Sequence, residues 1–408
     1  MNTPDYPHTG NRIRSIDIAR GLTILVMLFV NDLAGVTGAP GWMKHIHPST
    51  ADGYTFVDIV FPAFLFIVGL SLPIALGRRL DRGEPRARVF GHILVRTLGL
   101  LVMGVLMVNS EGIAHQGQID PRLWKLLLYG SAILVWIAPG AERKRLVQMR
   151  RIAGVVLLAA LAFSYRSEAG LGLRPHWWGI LGLIGWAYLV TSGLYLLLRR
   201  SRAGFAGAVL LLYGLYVADR FGLLTFLGFL HNWIGIGSVL GSQPAITASG
   251  ALLSMLIFGR EESHAGRLRV ILLFALAALA GGVLLHTLSG IHLQFIYNKN
   301  AATVPWCLVA SGWTALIFAV IYGLADMRGW TTGTCTLASA GQNALFAFIL
   351  GPIAYLLIDL IPPLADGMNP YWKLGASFAT GFWRSLLFAI TGTWLTAQLH
   401  RSGRFLRM

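Results

Sequence analysis

Apolar stretches of about 17–25 residues recur from one end of this 408-residue chain to the other, each long enough to cross the hydrocarbon core of a bilayer. Inside a bilayer the backbone has no water to bond, so such stretches must satisfy their own peptide groups as helices. Composition agrees: 55% of the residues are hydrophobic and 12% charged, roughly half the charged share of a soluble domain. No long polar segment remains to fold separately. The chain therefore reads as all-α, a polytopic helical membrane protein with about 10–12 transmembrane helices in one domain over residues 1–408. The apolar segments lie near 16–36, 54–76, 90–108, 123–139, 152–165, 178–198, 204–219, 244–259, 269–288, 304–325, 335–361 and 375–398. The shortest is 152–165. The run from Leu223 to Leu240 is broken by Gly228, His231-Asn232, Gly235 and Gly237, which suits an interfacial or re-entrant piece. The first apolar run ends in Asn31-Asp32 rather than a small-residue cleavage site, and a second run follows at once, so it reads as a retained helix.

A net charge of +16 could suggest nucleic acid, but its distribution points elsewhere. Basic residues sit in short clusters between spans: Arg12 and Arg14; Arg78, Arg79, Arg82, Arg86 and Arg88; Arg143, Lys144, Arg145, Arg150 and Arg151; Arg199, Arg200 and Arg202; Arg260, Arg267 and Arg269; Arg401, Arg404 and Arg407. The intervening loops hold few cations. This alternation follows the positive-inside rule, which places both termini and the basic loops in the cytoplasm and the loop carrying His45 outside. The lipid bilayer is then the default partner of the charge, and no nucleic acid is expected. Cys307 and Cys335 form no CxxC and suggest neither a metal site nor a disulfide framework.

Polar groups near the bilayer are costly, so those that occur are candidates for chemistry. Asn31 closes the first apolar run; its amide could bridge helices or orient a substrate carbonyl. His45 follows in a short loop beside Pro40 and Trp42, with His47 two residues on; no third ligand stands at useful spacing for a metal. Asp58 lies about one turn into the second apolar run, where a carboxylate needs a partner. His45, His47 and Asn31 are the nearest options, and a carboxylate that orients an imidazole is a common way to make a base. Asn298-Lys299-Asn300 occupies another outward loop and could contact an external substrate. Asn343 follows Gly341-Gln342 inside an apolar span, where it could line a path or bond a neighbouring helix.

Three pieces carry a family resemblance: Arg12-Ile13-Arg14-Ser15-Ile16-Asp17-Ile18-Ala19-Arg20-Gly21 continuing to Asn31, then Lys44-His45, then Tyr54-Thr55-Phe56-Val57-Asp58-Ile59-Val60-Phe61-Pro62 on to Gly69. Together they resemble the catalytic domain of heparan-alpha-glucosaminide N-acetyltransferase and its bacterial relatives, a transmembrane acyltransferase family. The likeness is strongest over 12–69, continues at Arg96 and Val108-Asn109, and returns at Asn298-Lys299-Asn300 and Gly341-Gln342-Asn343. Residues 123–165 look like inserted helices. Gly182-Leu183 stand where the animal enzyme has Gln-Arg, and Ser242-Gln243-Pro244 where it has Asp-Pro-Glu.

The resemblance implies an enzyme that carries acetyl from cytosolic acetyl-CoA, as cosubstrate, to an extracytoplasmic amino sugar or glycan, with no metal. It places Asn31 and His45 on the family's active-site Asn and His, and Asp58 on its shared Asp. Arg78, Arg79 and Arg82 could contact CoA phosphates. The expected setting is a bacterial inner membrane, without a soluble outward domain or a lysosomal leader. A second copy of the chain is an open candidate partner. A transporter and a non-catalytic assembly protein are the rival readings. Against the first, there is no paired repeat and the polar groups gather at one outer edge; the second leaves the grouping of Asn31, His45 and Asp58 unexplained.

Overall fold

The computed structural model describes residues 13–114, 119–140, 143–231, 233–259 and 263–406. Arg12, Asn232, Arg260 and Arg407 lie outside the described residues. The helices in chain order begin with α1 (Arg14–Leu33), α2 (Phe56–Asp81), α3 (Arg86–Glu111), α4 (Pro121–Trp136) and α5 (Lys144–Ser164). Next come α6 (Ile180–Leu198), α7 (Arg202–Arg220), the one-turn α8 (Gly228–His231), α9 (Gln243–Phe258) and α10 (His264–His286). The last are α11 (Val304–Tyr322), α12 (Cys335–Gly341), α13 (Ala344–Ile358), the short α14 (Pro370–Lys373) and α15 (Phe378–Arg401). Among the described residues there is no strand, only the isolated bridges Ile113–Ser167 and Ile137–Leu406.

Every apolar segment read from the sequence is helical, and the chain is a polytopic helical membrane protein. Among the described residues eight helical stretches are long and apolar enough to cross a bilayer, or nine if the bent pair α12–α13 is one span. The expected count of about 10–12 is reached by adding from α1, α4 and α15. Those three fall short because α4 has 16 residues, α1 carries Asp17, Arg20 and Asp32, and α15 carries Arg384 and several polar residues. The short segment at 152–165 belongs to a 21-residue helix, α5, whose first two turns are basic. The broken run after Leu223 forms a 3-10 turn, α8 and a π-helical turn (Ile236–Ser242) that leads into α9.

The chain divides into two compact units. The first holds α1 up to Ala19, Gly41–Leu101 and Leu183–Thr332; the second holds Arg20–Pro40, Val102–Gly182 and the chain from Gly333 onward.

In the first unit α2 and α9 cross at a pair of glycines. A Cβ on Gly69 would strike the Thr247 carbonyl oxygen, and one on Gly250 would strike the Phe66 carbonyl oxygen. Small residues let helices approach this closely in a membrane. Gly250→Val is expected to push the two helices apart at a cost of about 1–3 kcal/mol. Thermal unfolding of the purified protein should then fall by several degrees; an unchanged melting curve would mean the crossing tolerates a side chain. At one end of this unit Arg199 pairs with Asp81 at 2.6 Å. At the other, connecting segments are bonded to one another and to α7. Gly53 N–H donates to the Tyr297 carbonyl (2.9 Å), the Tyr216 hydroxyl donates to the Ala301 carbonyl (3.0 Å), and Gly237 N–H donates to the Asp219 carboxylate (3.0 Å).

The second unit packs the greater part of α1 against α13 and α15 through Ile24, Leu28, Ala347 and Ala389. The α4–α5 hairpin is pinned by Trp124, whose indole N–H donates to the Leu161 carbonyl (3.3 Å).

Candidate active site

The start of α2 makes the site. Asp58, at the third helical position, accepts the N–H of Thr55 at 3.0 Å, which caps the helix. The same carboxylate is 1% exposed and meets His45 Nδ1 at 2.7 Å through its other oxygen. Ile46 N–H also reaches it, at 3.4 Å. A carboxylate only accepts, so Nδ1 carries the proton and Nε2 faces away from Asp58. His45 itself is partly exposed. The pairing anticipated between Asp58 and an imidazole is thus made, with His45.

The loop before α11 supplies the third member. Lys299 Nζ lies 3.1 Å from His45 Nδ1 and 3.3 Å from Nε2. Near-equal distances put the amine over the ring rather than in line with a lone pair. Burial lowers the Lys299 pKa below the ordinary lysine value, while the Asp58 carboxylate pulls it back up. Its neighbour Asn298 is 1% exposed and organises the loops. Its amide NH2 donates to the Pro48 carbonyl (3.1 Å) and the Ala51 carbonyl (2.8 Å), and its amide oxygen accepts Ala301 N–H (2.8 Å). Ala302 closes this turn with φ +51°, its N–H bonded to the Lys299 carbonyl at 3.0 Å. Left-handed backbone in a residue with a Cβ costs about 1–2 kcal/mol, so the surrounding bonds hold Lys299 in place against strain. Asn300 is exposed and pairs with His47 Nδ1 at 3.1 Å. Asp52 and His286 pair nearby at 2.7 Å, and His286 stacks on Tyr297 with ring centroids 4.1 Å apart.

Asn31 and Asn343 belong to the second unit. Asn31 is exposed in the last turn of α1. Asn343 stands at the break where α12 and α13 bend by 89°. Its amide NH2 donates to the Arg404 carbonyl (3.4 Å) and its oxygen accepts Leu406 N–H (3.0 Å). Both amide atoms thus tie down the chain after α15.

Arg78, Arg79 and Arg82 lie at the far end of α2, about 30 Å along the helix from Asp58. Arg79 is bound to Glu84 at 2.8 Å, and Arg82 is exposed. Among the described residues no group of three or more His, Cys, Asp or Glu side chains is placed to hold a metal ion.

Two features escaped the sequence reading. The pairing of Lys299 with His45 spans 254 residues. Asp32, next to Asn31, is the centre of a buried network: Arg384 Nε donates to it at 3.0 Å, Ser385 at 2.6 Å and the Tyr371 hydroxyl at 2.7 Å. The one available signal was Arg384 itself, a cation in an apolar run that demands a carboxylate.

Residues 12–198 match the family model described as "Domain of unknown function (DUF5009)". The chain resembles two curated proteins, both called heparan-alpha-glucosaminide N-acetyltransferase. Identity to that of Mus musculus is 37% over 104 residues, 25% of this chain and 15% of that protein. Identity to that of Homo sapiens is 36% over 101 residues, 24% of this chain and 14% of that protein. The matched stretch is thus a small part of either relative's length.

Proposed function

From the resemblance to heparan-alpha-glucosaminide N-acetyltransferases, we propose that this protein is a membrane acyltransferase. It moves acetyl from cytosolic acetyl-CoA to an amine or hydroxyl of an amino sugar or envelope glycan on the outer side of a bacterial inner membrane. The observation that supports this most is the 2.7 Å bond between His45 Nδ1 and buried Asp58. It fixes the ring at the end of a membrane helix and turns Nε2, the proposed base, away from the carboxylate. Charge alternation in the loops supports an outward His45 and cytoplasmic Arg78, Arg79 and Arg82.

In this reading His45 Nε2 takes the proton from the acceptor nitrogen or oxygen as that atom attacks the thioester carbonyl. The new C–N or C–O bond forms, the C–S bond breaks, and the proton returns from His45 to the departing thiolate. Asp58 holds the tautomer that makes this possible. Asn31 donates from its amide to the carbonyl oxygen as it gains charge. Lys299 and Asn300 face the acceptor, on a loop braced by Asn298. Transfer is direct, without an acetyl-His intermediate. Purified protein given radiolabelled acetyl-CoA and a panel of amino-sugar and glycan acceptors is expected to label an acceptor. Failure to bind acetyl-CoA would sink the proposal.

A further inference from the structure

We infer that the row Arg88, His92 and Arg96 on α3 binds phosphate groups of the acyl donor, with Arg96 its deepest member; this rests on the acyltransferase reading above. The three residues are four apart, so they form one ridge along the helix. All three are exposed. The exposed apolar residues Leu94, Val95 and Leu98 gather within an arc of about 100° at 100° per residue, the face for hydrocarbon. Buried Val89, Ile93, Thr97 and Leu100 fill the opposite side. Arg96 falls about 150° from the middle of the apolar arc. It therefore sits beside the packed face, open but turned away from lipid.

Depth makes Arg96 informative. It lies about 15 Å along α3 from Arg86, where a cation is costly unless it meets water, protein or an anion. Among the described residues it forms no ion pair. Its neighbour is the ring of Tyr188, 4.7 Å from the guanidinium carbon, which steadies the planar group for two-pronged contact with a phosphate. The outer members share the field of one acid. Glu84 is held below the usual carboxylate range first by its hydrogen bond from Arg79, with His92 and Arg88 adding attraction.

The position also suits the donor better than the helix end does. Four residues, 82–85, join α2 to α3, a connection short enough to make antiparallel neighbours, and Asp58 stands about 35 Å along α2 from Asp81. A donor anchored at Arg79 or Arg82 would have to cross that whole distance to reach His45. From the level of Arg96 about 20 Å remains.

The test is a titration of the full-length protein in lipid nanodiscs with CoA and with pantetheine, the same thiol arm without phosphates. Arg96→Gln is expected to weaken CoA by at least about tenfold and to leave pantetheine unchanged. Equal CoA affinity in wild type and R96Q overturns the site while leaving the acyltransferase reading intact; so does equal loss of both ligands. No CoA binding by the wild type sinks that reading and this inference with it. An anionic phospholipid lost from R96Q in native mass spectra, with CoA affinity unchanged, would assign the row to a headgroup and overturn it. Should R96Q fail to fold, the R88Q/H92Q double variant on the exposed turns reads the same row, and unchanged CoA affinity there is equally fatal.

Discussion

His45→Ala is expected to lower acyl transfer by about 10²–10⁴-fold with little change in acetyl-CoA binding. The His45 imidazole stands at the start of α2 on a ring oriented by a buried carboxylate, through the 2.7 Å bond to Asp58. Removing it takes away proton transfer in the transition state and leaves the helix caps untouched. Asp58→Asn should also cost activity, but it is the less clean variant. The same carboxylate caps α2 through Thr55 N–H and receives Ile46 N–H, so its loss also loosens the loop. On the proposed mechanism Asp58 acts on the reaction through His45, so the H45A/D58N double variant should be scarcely worse than H45A alone. Lys299 offers the sharpest alternative, since its amine is the other group that could accept a proton here and its burial favours the neutral form. Steady-state kcat and KM for the three variants and Lys299→Met separate the cases. Near-normal kcat in H45A together with loss in K299M would transfer the role of base to the lysine.

Local signals in the sequence led to the helices and to one pair of site residues. Apolar runs became helices because a bilayer leaves the backbone no other solution. Asp58 announced its need of a partner by standing in such a run, and His45 was within one loop of it. The failures share a cause. Hydropathy ends a span where the basic residues begin, so α5 looked short, although Lys and Arg are good helix formers and carry it back to Lys144. Lys299 stood out as part of an Asn-Lys-Asn loop, but no periodicity links it to His45. Asn343 reads from the sequence as an amide inside an apolar span and stands at the α12–α13 break. Its partners are backbone groups of Arg404 and Leu406, and main-chain bonds of that kind leave no trace in side-chain identity. Asp32 was masked by its neighbour: beside Asn31 it read as part of a water-facing helix end, whereas it is 2% exposed.

That burial makes Arg384→Leu the variant with the largest expected effect on stability. Arg384 is 7% exposed and holds the end of α1 in two ways, by Nε to the Asp32 carboxylate (3.0 Å) and by Nη2 to the Asp32 carbonyl (2.9 Å). Its guanidinium also lies over the Tyr371 ring at 4.8 Å. Burial, and then the bond to Asp32, push the Tyr371 hydroxyl well above its ordinary pKa, so this phenol stays a donor and cannot replace the lost positive charge. Leucine would leave a buried carboxylate with only Ser385 and Tyr371 to satisfy it. Breaking one side of such a pair costs about 3–5 kcal/mol, a large share of the roughly 5–15 kcal/mol that keeps a domain folded. The expected result is a much lower melting midpoint and poor recovery from the membrane. Asp32→Asn combined with R384L should recover part of the loss, because the uncompensated charge is then gone. If R384L melts with the wild type, the pair carries no stability. If the double variant only matches R384L, the cost lies in the Arg384 contacts to Tyr371 and the α1 carbonyl rather than in stranded charge; if it is worse, the Asp32 carboxylate still stabilises through Ser385 and Tyr371. Since Asn31 precedes Asp32 in the same helical turn, a rescued double variant that folds but transfers acetyl slowly would tie this buried network to the placement of the Asn31 amide.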